Sequence, residues 1–305
     1  MSDSLASLRR KIIGAGDLES VVRSMKALAA SSIGQYERSV LALTDYYRTV
    51  ELGLVVCLRE RTEAIVEQAE SVGHSAKTVS AVVFGSDQGL VGQFNDVLTD
   101  YVAKELAAKP GEKKVWAVGD RIHSRLADAD LPPVGLFSVP TSVNAITPLV
   151  GQILAEIESH YSKGEIGQLY LFHNRPESGA AYTPVSQSLL PLDAQWGLKL
   201  AHLPWPTGKL PEVIGSRKQT LWALIREYLF VSLFKACAES LASENASRLA
   251  AMQRAEKNID ELVENLNQTF RRLRQTSIDE ELFDVLSGYE SLSKGRTTEV
   301  RDENK

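Results

Sequence analysis

Glycine and proline are both absent from Ser216 to Ser287, a run of 72 positions. Their absence excludes turns and kinks there, and hydrophobic residues recur at helical spacing. The segment is therefore expected to form one helix about 108 Å long at about 1.5 Å rise per residue. A compact globule of this chain length has a radius of gyration of only about 19 Å, so such a helix is expected to project and to bury its apolar stripe against something. Proline is missing from both flanks of the chain. All eleven prolines lie between Pro110 and Pro211, which leaves the first hundred residues free of the strongest helix breaker. Cysteine is scarce: Cys57 and Cys237 are the only two, too few for a disulfide framework or a zinc site. Each falls on a predicted helix, where a free thiol acts as a small buried hydrophobe. No apolar run approaches the roughly 20 residues that cross a bilayer, and no charged-then-apolar leader precedes Leu5. The expectation is a protein that is neither exported nor itself membrane-spanning. Charge of one sign is not in large excess. With 34 Lys and Arg against 39 Asp and Glu, a formal charge of −5 and a pI near 5.7, nothing advertises nucleic acid or an anionic membrane as partner. A soluble protein partner remains.

What is present is a pair of helical seams. Apolar or small residues recur at Leu5, Leu8, Ile12, Ala15, Val22, Met25, Ala29, Ile33, Tyr36, Val40, Leu43, Tyr47, Val50, Leu54 and Cys57. Steps of three and four alternate, giving the average of a coiled-coil seam. Positions 3–60 would span about 87 Å. The late segment repeats the pattern at Leu221, Leu224, Tyr228, Val231, Ala238, Leu241, Leu249, Met252, Ala255, Ile259, Leu262, Leu266 and Leu273. Two seams in one chain most simply bury each other.

Between Thr78 and Pro191 the period changes. Short apolar runs at Val79 to Phe84, Val115 to Val118 and Leu169 to Phe172 read as strands, separated by helical stretches at Asn95 to Ala108, Arg121 to Ala127 and Ala145 to Tyr161. This alternation predicts a largely parallel, doubly wound sheet, with Tyr182 to Leu190 as a last strand, antiparallel at an edge. The fold class is thus α/β, an antiparallel coiled coil with an inserted doubly wound domain. The boundaries are an N-terminal shaft helix (1–75), an α/β domain (76–190), a connecting loop (191–215), a C-terminal shaft helix (216–290) and a polar tail (291–305), with Ser293 to Lys305 expected to be disordered.

The strand-to-helix turn Gly85-Ser86-Asp87-Gln88-Gly89-Leu90-Val91-Gly92-Gln93-Phe94-Asn95 stands where doubly wound proteins hold phosphates. Its glycine spacing matches neither the dinucleotide fingerprint nor the phosphate loop, and no lysine or threonine follows to hold phosphate or magnesium. The competing reading is a tight turn that needs glycine for positive φ. His74, His123, His160, His173 and His202 are scattered, with no pair at metal-ligand spacing. No nucleophile elbow and no distinctive acidic pair is present. No catalytic, cofactor-binding or metal site is expected. Arg271, Arg272 and Arg274, followed by Asp279, Glu280 and Glu281, are either a solvated helix face with internal ion pairs or exposed guanidinium groups for a partner's carboxylates.

Three blocks of the chain resemble the gamma subunit, or central shaft, of F-type ATP synthases. LRRKI followed by MKALAA resembles that family's opening helix with its Met-Lys pair. SDQGLVGQFN is similar to its Asp-Arg-Gly-Leu-Cys-Gly stretch ending in asparagine. SRLAAMQRAEKNIDELVENLNQTFRRLRQTSIDEEL resembles its terminal helix. The blocks occur in the family's order across nearly the whole chain.

The resemblance implies an asymmetric shaft of paired terminal helices inside a ring of α and β subunits. The α/β domain and lower shaft would rest on the membrane c-ring and meet the epsilon subunit, one copy per complex. Catalysis would stay on the β subunits, and turning the shaft would shift each site's conformational equilibrium in succession. Residue by residue, Met25 and Lys26 match the Met-Lys pair, which meets the β subunit. Arg274 and Gln275 match an Arg-Gln pair that catches a β-subunit loop, and Arg248 and Met252 match the Ser-Arg-x-x-Ala-Met stretch. The place implied is the cytoplasmic face of the cell inner membrane, with membrane association only through the complex. Gln88, Val91 and Gln93 depart from the family's residues, and Gly14 and Gly16 interrupt the first helix at about 1 kcal/mol each. These departures point to a divergent branch, such as an alternative or sodium-translocating enzyme. The different-class alternatives are a small-molecule-binding α/β enzyme with a helical dimerisation arm and a static coiled-coil scaffold.

Overall fold

In the computed structural model the described residues are 4–58, 78–177, 181–191, 205, 207, 209 and 211–302. The elements, in chain order, are α1 (Leu5–Leu58), β1 (Thr78–Phe84), α2 (Phe94–Ala107), β2 (Glu112–Val118), α3 (Asp120–Asp128), β3 (Gly135–Phe137), a 3-10 turn (Val143–Ala145), α4 (Ile146–Ser162), β4 (Gln168–Pro176), β5 (Tyr182–Leu190) and α5 (Arg217–Asp302). Residues 59–75 of the expected first helix, and most of the connection from 192 to 210, lie outside the described residues.

The two long helices form because neither contains proline and because each has an apolar stripe to bury. α1 has 54 residues and α5 has 86, about 81 and 129 Å at about 1.5 Å per residue. All the seam residues of α1 are buried or half-buried, and so are those of α5 except Leu262, which is 47 % exposed. The helices run antiparallel: Tyr46 donates its hydroxyl to Glu227 at 2.7 Å, the Tyr47 and Tyr228 rings lie 5.8 Å apart, and Gly53 faces Leu224. α5 runs on to Asp302, past Gly288 and Gly295, into the segment expected to be a disordered polar tail. One glycine costs a helix only about 1 kcal/mol, and neither proline nor a run of turn formers follows.

The chain divides into two compact units, one of Met1–Met25 with Met252–Lys305, the other Lys26–Ala251. In the first, Leu8, Ala15 and Met252 are buried, and Leu5, Ile12, Val22, Ile259 and Leu266 are half-buried.

The second unit holds the sheet, with strand order β3-β2-β1-β4-β5. β1 pairs in parallel with β2 and β4, β2 with β3, and β4 pairs antiparallel with β5. Alternate side chains of the central strands point to opposite faces, and two cores result. Val82, Phe84, Trp116 and Val118 pack with Ile146, Val150 and Ile153 of α4 and with Leu54, Leu233 and Phe234 of the long helices. Ala81, Val83, Val115 and Ala117 pack with Leu98, Val102 and Leu106 of α2 and Ile122 and Leu126 of α3. The short edge strand β3 was absent from the sequence reading because three residues, Gly-Leu-Phe, give no alternation to detect. Pro132 and Pro133 precede it, and Pro184 lies within the opposite edge strand β5.

Both cysteines are buried, and burial raises both thiols above their ordinary value; Arg217 only partly offsets this at Cys57. A buried thiol kept protonated is a poor nucleophile. Native protein treated with a maleimide at pH 7.5 is therefore expected to stay unlabelled, whereas protein in denaturant takes two labels per chain. Rapid native labelling would contradict this packing.

Candidate partner-contact surface

The turn after β1 is closed by its own side chains. Asn95 Oδ1 accepts from the Ser86 amide at 3.1 Å, and Asn95 Nδ2 donates to Ser86 Oγ at 2.8 Å. The Asp87 carboxylate accepts from the amides of Asp120 and Val139, both at 3.0 Å. It thereby tethers the start of α3 and the chain after β3. Gly92 has φ 59°, as the tight-turn reading requires; Gly85 is needed for space instead, because a Cβ there would lie 2.2 Å from Ile122 Cβ. Leu90, although not glycine, also takes positive φ (62°) and is 62 % exposed. A cleft of about 430 Å³ beside the turn carries Arg121 and Arg125 against Asp96 and Asp128, with Arg125 paired to Asp96 at 2.8 Å. Its charges balance, so it is no anion cradle.

The crevice at the carboxyl ends of β1 and β4, where the chain winds away in both directions, is the usual ligand position of such sheets. Here α5 fills it. Ser240 donates to the Phe84 carbonyl at 3.0 Å, Ser243 to the Asn174 carbonyl at 3.0 Å and Ser247 to the Val91 carbonyl at 2.5 Å. Beside them His173, 2 % exposed, contacts Glu239 Oε2 through Nε2 at 2.7 Å. Serines at i, i+3 and i+7 occupy one helix face, and that spacing was a signal the sequence reading missed. The His173–Glu239 pair joins residues 66 apart in sequence and leaves no local trace. Of the other histidines, His160 bridges Glu156 and Glu165, at 3.2 and 2.7 Å. His123 is half-buried, and His74 and His202 lie outside the described residues. No cluster suited to a metal ion occurs among the described residues.

The six residues expected at partner interfaces differ in what they expose. In the unit of Met1–Met25 and Met252–Lys305, Met25 is half-buried, Arg274 and Gln275 are exposed, and Met252 is only 2 % exposed, a packing residue of the unit. Beyond Arg274 the apolar residues of α5 lose their cover: Ile278, Leu282, Phe283, Val285, Leu286 and Tyr289 are 51–72 % exposed. Arg271, Arg272 and Arg274 are all exposed, and among the described residues no ion pair joins them to Asp279, Glu280 or Glu281. In the other unit, Lys26 is half-buried, and Arg248 pairs with the buried Glu244 at 2.6 Å. Burial raises the Glu244 carboxyl above its ordinary value, Arg248 opposes that, and Asp87 adds to it. Glu244 Oε2 and Arg248 Nε have no hydrogen-bond partner among the described residues.

The sequence matches the protein family described as ATP synthase over residues 4–292. Among similar curated proteins, the ATP synthase gamma chain of Nostoc punctiforme is 28% identical over 324 residues, spanning 95% of this chain and 99% of the relative. That of Clostridium pasteurianum is 26% identical over 295 residues, with the same coverage. Among solved structures, a chain of the Euglena gracilis mitochondrial ATP synthase (OSCP/F1/c-ring) superposes with a TM-score of 0.63 at 15% identity, covering 96% of this chain and 95% of that one. A chain of the Tetrahymena thermophila mitochondrial ATP synthase central stalk and c-ring gives 0.54 at 20% identity, covering 77% and 99%.

Proposed function

This chain belongs to the ATP synthase gamma-chain family, and we propose that it is the non-catalytic shaft subunit that couples ion flow through a membrane c-ring to ATP chemistry on α and β subunits. The observation that carries this reading is the run of α5 beyond Arg274, where large apolar side chains stand more than half exposed along a single helix. A helix with that much uncovered apolar surface calls for a surrounding sleeve. Exposed Arg274 and Gln275 sit at the start of that run and offer a planar fork of donors and an amide to acidic or polar loops of the surrounding subunits. Met25, Lys26 and Arg248 are the further contacts, and Met252 acts from inside by holding its helix in place.

Rotation of an asymmetric shaft works as a population shift. Each face contacts one conformation of a β subunit better than the others, and that difference in contact free energy sets the shift. One copy per complex, contact with an epsilon subunit and a position on the cytoplasmic face of the inner membrane complete the reading. No described helix is long and apolar enough to cross a membrane, which fits attachment through the c-ring. The rival enzyme reading would need a vacant crevice at the carboxyl ends of β1 and β4, and α5 occupies it.

Co-expression with α, β and epsilon subunits tests the assignment. The expected product is a stable complex with one copy of this chain and ATPase activity that depends on it. A homodimer of this chain that leaves α and β behind would overturn it.

A further inference from the structure

The seat of α5 on the sheet has features that gripping alone does not require. Three uncharged serine hydroxyls satisfy carbonyls at the carboxyl edge, and proton concentration leaves them untouched. His173 differs. Its Nε2 is 2.7 Å from Glu239 Oε2, while its buried Nδ1 has no hydrogen-bond partner among the described residues. The charged groups facing it are Glu239 and Lys235 from α5 and Arg175 from its own strand; its partner on β5 is the uncharged Val185. The Glu239 carboxylate already has Arg175 at 3.3 Å and Lys235 at 3.9 Å. A proton on Nδ1 would add a third cation around one carboxylate and an N–H donor with no acceptor, both out of water.

We propose that this seat is a proton-released latch, in which Ser240, Ser243 and Ser247 hold α5 on the carboxyl edge of β1 and β4, and proton uptake by His173 loosens the hold. The latch goes beyond the shaft reading and does not depend on it. Burial lowers the affinity of the His173 imidazole for a proton; Glu239 opposes this, and Arg175 and Lys235 reinforce it. Burial acts to raise Glu239, but the hydrogen bond from His173 and the nearby cations outweigh it and keep the carboxylate ionised. The sign follows from linkage. His173 takes a proton more readily once exposed, near its ordinary value of 6.5, so opening binds a proton and grows as pH falls below that value. Between pH 7.5 and 5.5 the titration of His173 is expected to raise the opening equilibrium, by no more than about tenfold. Glu239, ionised in both states over that range, adds almost nothing; Glu244, whose carboxyl burial raises in the closed seat, acts with the opposite sign, so the contribution of His173 is the difference between the wild type and a variant without the imidazole.

Amide hydrogen exchange of the full chain, corrected for the intrinsic pH dependence of exchange and read in segments 84–92 and 239–247, tests the latch. The wild type should show faster exchange at pH 5.5 than at pH 7.5. His173→Gln, whose amide can still donate to Glu239 but does not titrate, should lose that rise. Ser243→Ala should exchange faster at both pH values and keep the wild-type ratio between them. A flat wild-type profile, a glutamine variant that retains the dependence, or a Ser243→Ala variant with unchanged exchange at pH 7.5 would each overturn the proposal. The wild type and Ser243→Ala decide it even if the glutamine variant does not fold.

Discussion

Arg274→Ala is expected to cut ATP-driven ion pumping by the assembled complex roughly tenfold or more, since a hydrogen bond to a charged group contributes about 1.5–3 kcal/mol and about 1.4 kcal/mol is a factor of ten. The melting temperature of the isolated chain should not move. Arg274 is exposed, and a surface substitution away from caps and cores changes stability by no more than about 0.5 kcal/mol. Arg274→Lys keeps the charge but loses the planar two-pronged donor and should fall between the two. Pumping assays on reconstituted vesicles, paired with thermal unfolding of the free subunit, separate coupling from folding. Wild-type pumping by the alanine variant would remove Arg274 from the contact.

Gly85→Ala is expected to cost roughly 3 kcal/mol of stability, at the upper end of overpacking penalties. The new methyl would lie 2.2 Å from Ile122 Cβ and 2.8 Å from Asn95 Oδ1. Those neighbours are the first turn of α3 and the side chain that closes the turn after β1, so neither can move without opening the other. The same substitution at Gly14 should have the opposite sign. Nothing lies within 4 Å of a Cβ there, and alanine favours a helix over glycine by about 1 kcal/mol. Urea unfolding of the two variants tests both together; equal effects would mean that crowding at Gly85 is not what selects glycine.

The contrast between these glycines also marks what the sequence could and could not disclose. Both long helices were legible because a stripe recurring over tens of residues has no other stable outcome than a helix. The strand at Thr78–Phe84 was legible as a short apolar run ending in a glycine, and Tyr182–Leu190 as a last strand at the edge of the sheet. The end of α5 was misjudged because a polar composition argues against a packed core but not against a helix. The turn's glycines were read as a conformational requirement, which holds at Gly92, but the role of Gly85 is steric, since Ile122 arrives from an element 37 positions away. The filling of the crevice by α5 was invisible for the same reason: the serines mark a helix face, and only the fold brings Phe84, Val91 and Asn174 beneath it.

The prolines at the two margins of the sheet have a consequence for the chain before it meets any partner. An open sheet offers unpaired backbone groups along each outer strand, a template onto which further strands can stack. Here one margin is a three-residue strand introduced by Pro132 and Pro133, and the other carries Pro184. Proline has no amide hydrogen to give, so both rims are poor templates for polymerisation. A newly made copy therefore offers its neighbours little to add onto edge to edge.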